Sequence, residues 1–156
     1  MKSKPQMLVI VAVALAALVG GLGLFTFSHA KGWSYLSTDP AACVNCHIMR
    51  PQYASWQHSS HKSVATCQDC HMPHDFVGKW YTKARAGWNH SKAFTTGNFH
   101  EPIQITKVDK EIALHNCVAC HKQLVGEMHI TVSHKNEADA PTCTSCHGNV
   151  GHQGNK

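Results

Sequence analysis

The most apolar stretch of the chain lies near its N-terminus. Residues 7–27 carry no charge and are almost entirely apolar. Because an α-helix rises about 1.5 Å per residue, about 20 apolar residues span the hydrocarbon core of a bilayer. Lys2 and Lys4 precede the stretch, so the positive-inside rule places the N-terminus in the cytoplasm. We therefore predict a membrane anchor within residues 1–30 and an exported domain over residues 31–156.

A cleaved signal peptide is the competing interpretation of this stretch. Ser28-His29-Ala30 resembles the small-x-small site at which such peptides are removed. The apolar core of a secretory signal usually runs about 7–15 residues, however, and this stretch is longer. The pattern therefore favours an uncleaved anchor, and under either interpretation the rest of the chain is exported.

Beyond the anchor, one segment has a clear helical period. Phe76, Trp80, Ala84 and Trp88 recur at every fourth position within residues 76–94, which predicts a helix with one aromatic stripe. Basic residues lie between them, so the stripe suits either the membrane interface or packing inside the domain. No run alternates apolar and polar residues, so little β-structure is expected. We predict a mainly α fold with extensive loops and low regular secondary structure outside the anchor.

The eight cysteines all belong to four copies of the pattern Cys-x-x-Cys-His. Two thiols at this spacing can form thioether bonds to the two vinyl groups of a haem, and the adjacent histidine then lies under the iron as an axial ligand. The sequence therefore predicts a multihaem cytochrome c domain with four covalently bound haem c groups. The attachment sites are Cys43 and Cys46, Cys67 and Cys70, Cys117 and Cys120, and Cys143 and Cys146.

Zinc sites and disulfides are the alternatives for paired cysteines in an exported chain. Neither of them requires a histidine directly after the second cysteine. His47, His71, His121 and His147 nevertheless all occupy that position. The full set of four motifs therefore favours haem attachment over both alternatives.

The motifs fall into two close pairs, which predicts two dihaem halves over about 31–97 and 98–156. His61-Lys62 precedes the second motif and His134-Lys135 precedes the fourth, which indicates an internal duplication unless the match is coincidental in a histidine-rich chain. If a pseudo-twofold axis relates the halves, these two histidines have equivalent roles. The natural exchange gives His61 to the fourth haem and His134 to the second.

The pattern alone leaves the other axial ligands open. The chain has 14 histidines, more than the haems need, so any single one outside the motifs can equally be a surface residue. Met49 follows the first motif as Cys-His-Ile-Met, and methionine is an axial ligand that raises haem potential. Met49 can also serve as apolar filling.

Three stretches beside the motifs carry a family resemblance. They are CVNCHIMRP at 43–51, WQHSSH at 56–61 and KARAGWNH at 83–90. Together with the anchor, the four motifs and the length, they resemble the tetrahaem membrane subunits of cytochrome c nitrite reductases, within the NapC/NirT quinol dehydrogenase family. The resemblance covers nearly the whole chain.

The resemblance implies a ligand for each iron. Met49 ligates the first haem and His47 is left free, although His47 remains the alternative ligand. The motif histidines His71, His121 and His147 ligate the second, third and fourth haems.

The distal ligands are implied in the same way. His61 matches a distal ligand of the fourth haem, and His152 matches one of the third. In some members the second haem borrows a lysine from the partner subunit, and the presence of His134 leaves that open here.

The resemblance also implies a quinol pocket beside the first haem. Lys83 matches a lysine that contacts the quinone site. One branch of the family has an aspartate seven residues further along, where this chain has His90. Seven residues are about two helical turns, so Lys83 and His90 share a face. His90 is expected either to accept a quinol proton or to ligate the first iron.

The implied function is menaquinol oxidation at the outer face of the inner (cytoplasmic) membrane, with the haem domain in the periplasm. The implied acceptor is the pentahaem catalytic subunit that reduces nitrite to ammonia. The chain lacks the Cys-x-x-Cys-Lys motif of that subunit, so it is not expected to reduce nitrite itself. The alternatives are service to another reductase such as nitrate reductase, a soluble electron carrier, and a passive docking subunit.

Charge bears on the choice of partners. The net charge of +5 is mild and suits weak attraction to anionic lipid or to an acidic protein. No basic run with interleaved aromatics is present, so nucleic acid is not an expected partner.

Overall fold

The computed structural model describes residues 3–127 and 142–152. The chain separates into two compact units, Met1–Ser37 and Thr38–Lys156. All regular structure in the described ranges is helical, and these ranges contain no strand. The prediction of a mainly α fold with one N-terminal apolar helix is therefore confirmed.

The first unit consists of helix α1 (Lys4–His29) and a short 3₁₀ turn (Gly32–Leu36). A capping box begins α1, in which the Ser3 backbone N–H donates to Gln6 Oε1 at 3.2 Å. Every described side chain of α1 is exposed, and the helix is long and apolar enough to cross a membrane. This is the helix that the uncharged N-terminal stretch predicts.

The second unit begins with two 3₁₀ turns (Pro40–Asn45 and His47–Met49), followed by helix α2 (Arg50–Gln57) and the single-turn helix α3 (Cys67–His71). Trp56 anchors the loop between these two helices, because its Nε1–H donates to the carbonyl oxygen of Ala65 at 3.1 Å. The loop that carries His61 is thereby closed on itself.

Helix α4 (Phe76–Thr96) is the long amphipathic helix predicted over residues 76–94, and it extends two residues further. Asp75 caps its N-terminus by accepting the N–H of Gly78 at 2.6 Å. Gly97 ends the helix in the left-handed conformation with φ 69°, a region in which glycine carries no steric penalty. The aromatic stripe therefore predicted the helix to within two residues of its C-terminal end.

Helix α5 (Lys107–Cys120) was not predicted from the periodicity. Thr106 caps it by accepting the N–H of Asp109 at 3.2 Å. α5 packs against α3, and its C-terminal end contacts helices α6 (Lys122–Glu127) and α7 (Cys143–Cys146). The Arg85 guanidinium forms an ion pair with the Asp109 carboxylate and so connects α4 to α5.

Candidate functional site

Seven of the eight cysteines lie in helical turns, and Cys46 lies in extended backbone between two 3₁₀ turns. The first motif begins in the turn Pro40–Asn45, the second is α3, the third is the last turn of α5, and the fourth is α7. Residues three apart on a helical turn face the same side, so the two thiols of a helical motif project together. This geometry fits two thioether bonds to one flat ring system, with the following histidine beneath it.

The second and fourth motifs are built in the same way. Thr66 precedes the first cysteine of α3, and its backbone N–H donates to Asp69 Oδ2 at 2.7 Å. Thr142 precedes the first cysteine of α7, and its N–H donates to Ser145 Oγ at 3.0 Å. Hydrogen bonds from Thr66 hold the pKa of Asp69 below its ordinary value. A Thr-Cys-x-x-Cys-His pattern in both halves was the sequence signal for these caps, and it adds to the case for duplication.

Each attachment turn lies next to the following one along the chain. The Cys43 thiol lies in hydrogen-bonding contact with that of Cys67, so the first and second turns are adjacent. Burial raises the pKa of Cys70, and the nearby Cys117 raises it further. Burial and then Cys143 raise the pKa of Cys117 in the same way. The four turns therefore form a continuous series from the first motif to the fourth.

Two pairs of histidine rings lie at a separation that suits metal ligation. The ring centroids of His61 and His121 are 6.0 Å apart, and those of His71 and His152 are also 6.0 Å apart. A metal between two imidazole nitrogens needs about 2 Å on each side. The centroid separation of each pair is therefore of the size that two imidazole ligands of one metal ion would have.

His61 also has the hydrogen bond that is typical of a ligating histidine. Its Nδ1 lies 3.0 Å from the carbonyl oxygen of Val150, which can only accept. The hydrogen is therefore on Nδ1, and Nε2 is free to bind a metal. Burial, then the neighbouring His152, lower the pKa of His71, which favours the neutral ring that a metal requires.

These neighbours differ from the pairing that the resemblance implies. The structure places His61 beside His121 of the third motif, with its Nδ1 on the segment after the fourth motif. His152 lies beside His71 of the second motif rather than in a pair with the third. The assignment of each distal histidine to an iron stays a prediction, and His134 lies outside the described residues.

The first motif shows the two candidate ligands on one turn. His47 and Met49 are the first and last residues of the turn His47–Met49. The His47 side chain is exposed, whereas Met49 is half-buried. The third and fourth motif histidines follow α5 and α7 directly and are also exposed, as His121 and His147.

Lys83 is an unusual cation because only 6% of it is exposed. Its Nζ lies 5.2 Å from the centroid of the Trp80 ring, within the range of a cation–π contact. Burial lowers the pKa of Lys83, Lys79 lowers it further, and Cys43 acts in the opposite direction. The structure therefore brings the predicted quinol lysine near the first attachment turn.

His90 lies on the same helix as Lys83, about 10 Å further along its axis. The ring remains accessible to solvent, while desolvation by the surrounding protein lowers the pKa of His90 and Asp109 acts in the opposite direction. A histidine that is neutral at neutral pH can accept a proton.

The packing of the described residues is consistent with covalent haem. In the ranges 3–127 and 142–152 no hydrophobic side chain is buried, and the buried side chains there are those of Thr82, Lys83 and Asn116. The cysteine pairs on common faces and the spaced histidine rings are the donor set that haem c uses. The residues present therefore fit the group.

Comparisons with known proteins agree with this donor set. A model of the NapC/NirT cytochrome c family, N-terminal region, matches residues 2–156. The cytochrome c-type protein NrfH of Wolinella succinogenes is 38% identical over 96% of this chain and 89% of its own length. The cytochrome c nitrite reductase subunit NrfH of Nitratidesulfovibrio vulgaris is 34% identical over 87% of this chain and 79% of its own.

A solved structure is similar in fold as well. A chain in the crystal structure of the cytochrome c nitrite reductase NrfHA complex, bound to the HQNO inhibitor, superimposes with a TM-score of 0.65. The match has 29% sequence identity and covers 89% of this chain and 90% of that chain.

Proposed function

Because the chain belongs to the NapC/NirT cytochrome c family, we propose that it is a tetrahaem menaquinol dehydrogenase that supplies electrons to a cytochrome c nitrite reductase. The family establishes covalently bound haem, and α1 is long and apolar enough to anchor the chain in a membrane. We further propose that the chain carries four haems, that menaquinol is the electron donor and that a nitrite reductase is the acceptor. The proposal also places α1 in the inner membrane and the haem domain in the periplasm.

Four haems follow from four complete attachment turns. The chain has no cysteine outside these four motifs, so we assign one haem to each motif. Haem, when bound, supplies one-electron oxidation and reduction, and the protein supplies position and electrostatics. The proposed iron ligands are Met49, with His47 as the alternative, and His61, His71, His121, His134, His147 and His152.

The buried Lys83 beside Cys43 is the observation that carries the quinol assignment. Lys83 is 6% exposed, and its ammonium group can donate a hydrogen bond to a quinol oxygen. The Trp80 ring next to Lys83 offers a flat apolar surface for a quinol ring. We assign to Lys83 the orientation of the quinol beside the first attachment turn.

His90 is assigned the role of proton acceptor. Oxidation of one quinol releases two electrons and two protons, and a base near the site must take a proton from a hydroxyl group. Desolvation lowers the pKa of His90, so the ring is neutral and ready to accept at neutral pH. Asp109 on the neighbouring helix favours the protonated ring after transfer.

The proposed acceptor is a pentahaem nitrite reductase catalytic subunit. Two relatives, at 38% and 34% identity, are named NrfH, and the similar solved chain belongs to a nitrite reductase complex. Their coverage spans nearly the whole of this chain, so the likeness is not confined to the haem motifs. A different periplasmic reductase, such as nitrate reductase, is the alternative within the same family.

Stopped-flow reduction by a menaquinol analogue tests the proposal. The protein is purified with its haems in detergent, and haem absorbance is followed for the parent, Lys83→Ala and Lys92→Ala. Lys92 is the matched control, since it is an exposed lysine on the same helix. We expect rapid reduction in the parent and the control and at least a tenfold slower reduction in Lys83→Ala, equivalent to about 1.4 kcal/mol in the barrier.

The control for this experiment is reduction by dithionite, which does not need a quinol site. All three proteins should be fully reduced by it and show the same haem spectrum. If the fully loaded parent is reduced by dithionite but not by menaquinol, the chain is an electron relay or a docking subunit and the dehydrogenase proposal fails.

A further inference from the structure

Asn116 is the most deeply buried of the described side chains, with 3% exposure. It lies on α5 directly before Cys117, the first cysteine of the third motif. Its Nδ2 donates to the carbonyl oxygen of Cys70 at 3.0 Å and to that of Met72 at 2.8 Å. Asn116 therefore donates to Cys70 within the second motif and to Met72 directly after it.

The two accepting carbonyls lie on either side of His71. Cys70 is attached to the second haem, His71 is the proposed ligand of its iron, and Met72 follows the end of α3. The last carbonyls of a helix have no partner within the helix, and a helix of one turn has little stability of its own. Asn116 supplies the missing donors, so the backbone around His71 is held by α5.

We propose that Asn116 is a positioning residue that fixes the second haem, through the backbone on both sides of His71, against the third attachment turn. The proposal rests on the haem content of the proposed function and is independent of the quinol site and of the acceptor. Asn116 and its two hydrogen bonds lie where the first predicted dihaem half meets the second. The placement of the second attachment turn against the third would then depend in part on this amide side chain.

Three variants separate this role from packing. Asn116→Asp has nearly the same shape but loses the donor group, and Asn116→Gln keeps the donor on a longer side chain. Thr106→Ala is the control, because it removes the N-cap of the same helix without touching α3. Each is produced as the full-length, haem-loaded protein in detergent.

The first readout is haem content per chain, with peptide mass mapping of the four attachment sites. The second is low-temperature EPR during a redox titration, which reports ligand geometry, reduction potential and magnetic coupling between neighbouring haems. We expect Asn116→Asp to alter the EPR signal and the potential of one haem and to weaken its coupling to a neighbour. Asn116→Gln should show a smaller change in the same direction, and Thr106→Ala should match the parent.

Haem content, EPR signals and melting temperature together decide between a positioning role and a purely structural role for Asn116. If Asn116→Asp loses haem only at Cys67 and Cys70, the hydrogen bonds of Asn116 are needed for haem attachment at these two cysteines, and the proposal is supported. If Asn116→Asp has a lower melting temperature but the EPR signals, potentials and couplings of the parent, Asn116 is only structural and the proposal is overturned. A parent with fewer than four haems would instead refute the haem count in the proposed function.

Discussion

Replacing Asp109 by asparagine removes the charge that joins α4 to α5 while keeping the shape of the side chain. The side chains of Arg85 and Asp109 are 26% and 32% exposed, so their ion pair is partly screened by solvent and contributes about 0.5–1 kcal/mol. Asp109 also lies in the first turn of α5, where a negative charge interacts favourably with the helix dipole by about 0.3–1 kcal/mol. The expected loss of unfolding free energy is therefore about 1–2 kcal/mol.

Thermal unfolding of the haem-loaded protein, with Arg85→Ala and the double variant, measures this pair directly. We expect a double-mutant coupling energy of about 0.5–1 kcal/mol at low salt. In 1 M salt the Debye length falls to about 3 Å, so the coupling should shrink by at least half. A coupling energy below about 0.2 kcal/mol at low salt, or one that salt leaves unchanged, would contradict the electrostatic account of the α4–α5 contact.

Two further predictions concern the attachment turns and the proton acceptor. Thr66→Ala and Thr142→Ala should each lower the free energy of unfolding by about 1 kcal/mol, because each removes an N-cap. The two caps are separate, so their effects on the melting temperature should add. Strong non-additivity would show that they share one structural unit. The rate of menaquinol oxidation should be constant at neutral pH and fall as the pH drops through the lowered pKa of His90, below its ordinary value of 6.5, because the protonated ring cannot accept. His90→Gln should be slow and lack this acid limb in stopped-flow reduction, and a variant with the parent's pH profile would remove His90 from the mechanism.

Much of this fold was predictable because its signals are local. The uncharged stretch over residues 7–27 predicts α1, and the aromatic period from Phe76 predicts α4. Each motif fixes its own turn, since two cysteines and a histidine within five residues have few ways to face one ring system. Thr106, followed three residues later by Asp109, is a capping signal for α5 that the periodicity alone did not show.

The contacts between motifs could not be predicted in the same way. The hydrogen bonds of Asn116 join residues that are 44 and 46 positions apart, and nothing in the local sequence around Asn116 identifies their acceptors, which are backbone carbonyls. The ring pairs of His61 with His121 and of His71 with His152 likewise depend on how the loops fold back. A histidine-rich chain offers many pairings, and only tertiary structure selects among them.

The most direct test of the proposed function is menaquinol-dependent nitrite reduction in proteoliposomes that contain this chain and a purified pentahaem nitrite reductase catalytic subunit. The account predicts that menaquinol-reduced haem is reoxidised when nitrite is added, that ammonium accumulates, and that both stop when this chain is omitted or carries Lys83→Ala. If the catalytic subunit reduces nitrite with an artificial donor, but menaquinol supports no ammonium formation when the haem-loaded chain is present, the proposed electron path from menaquinol to nitrite is contradicted.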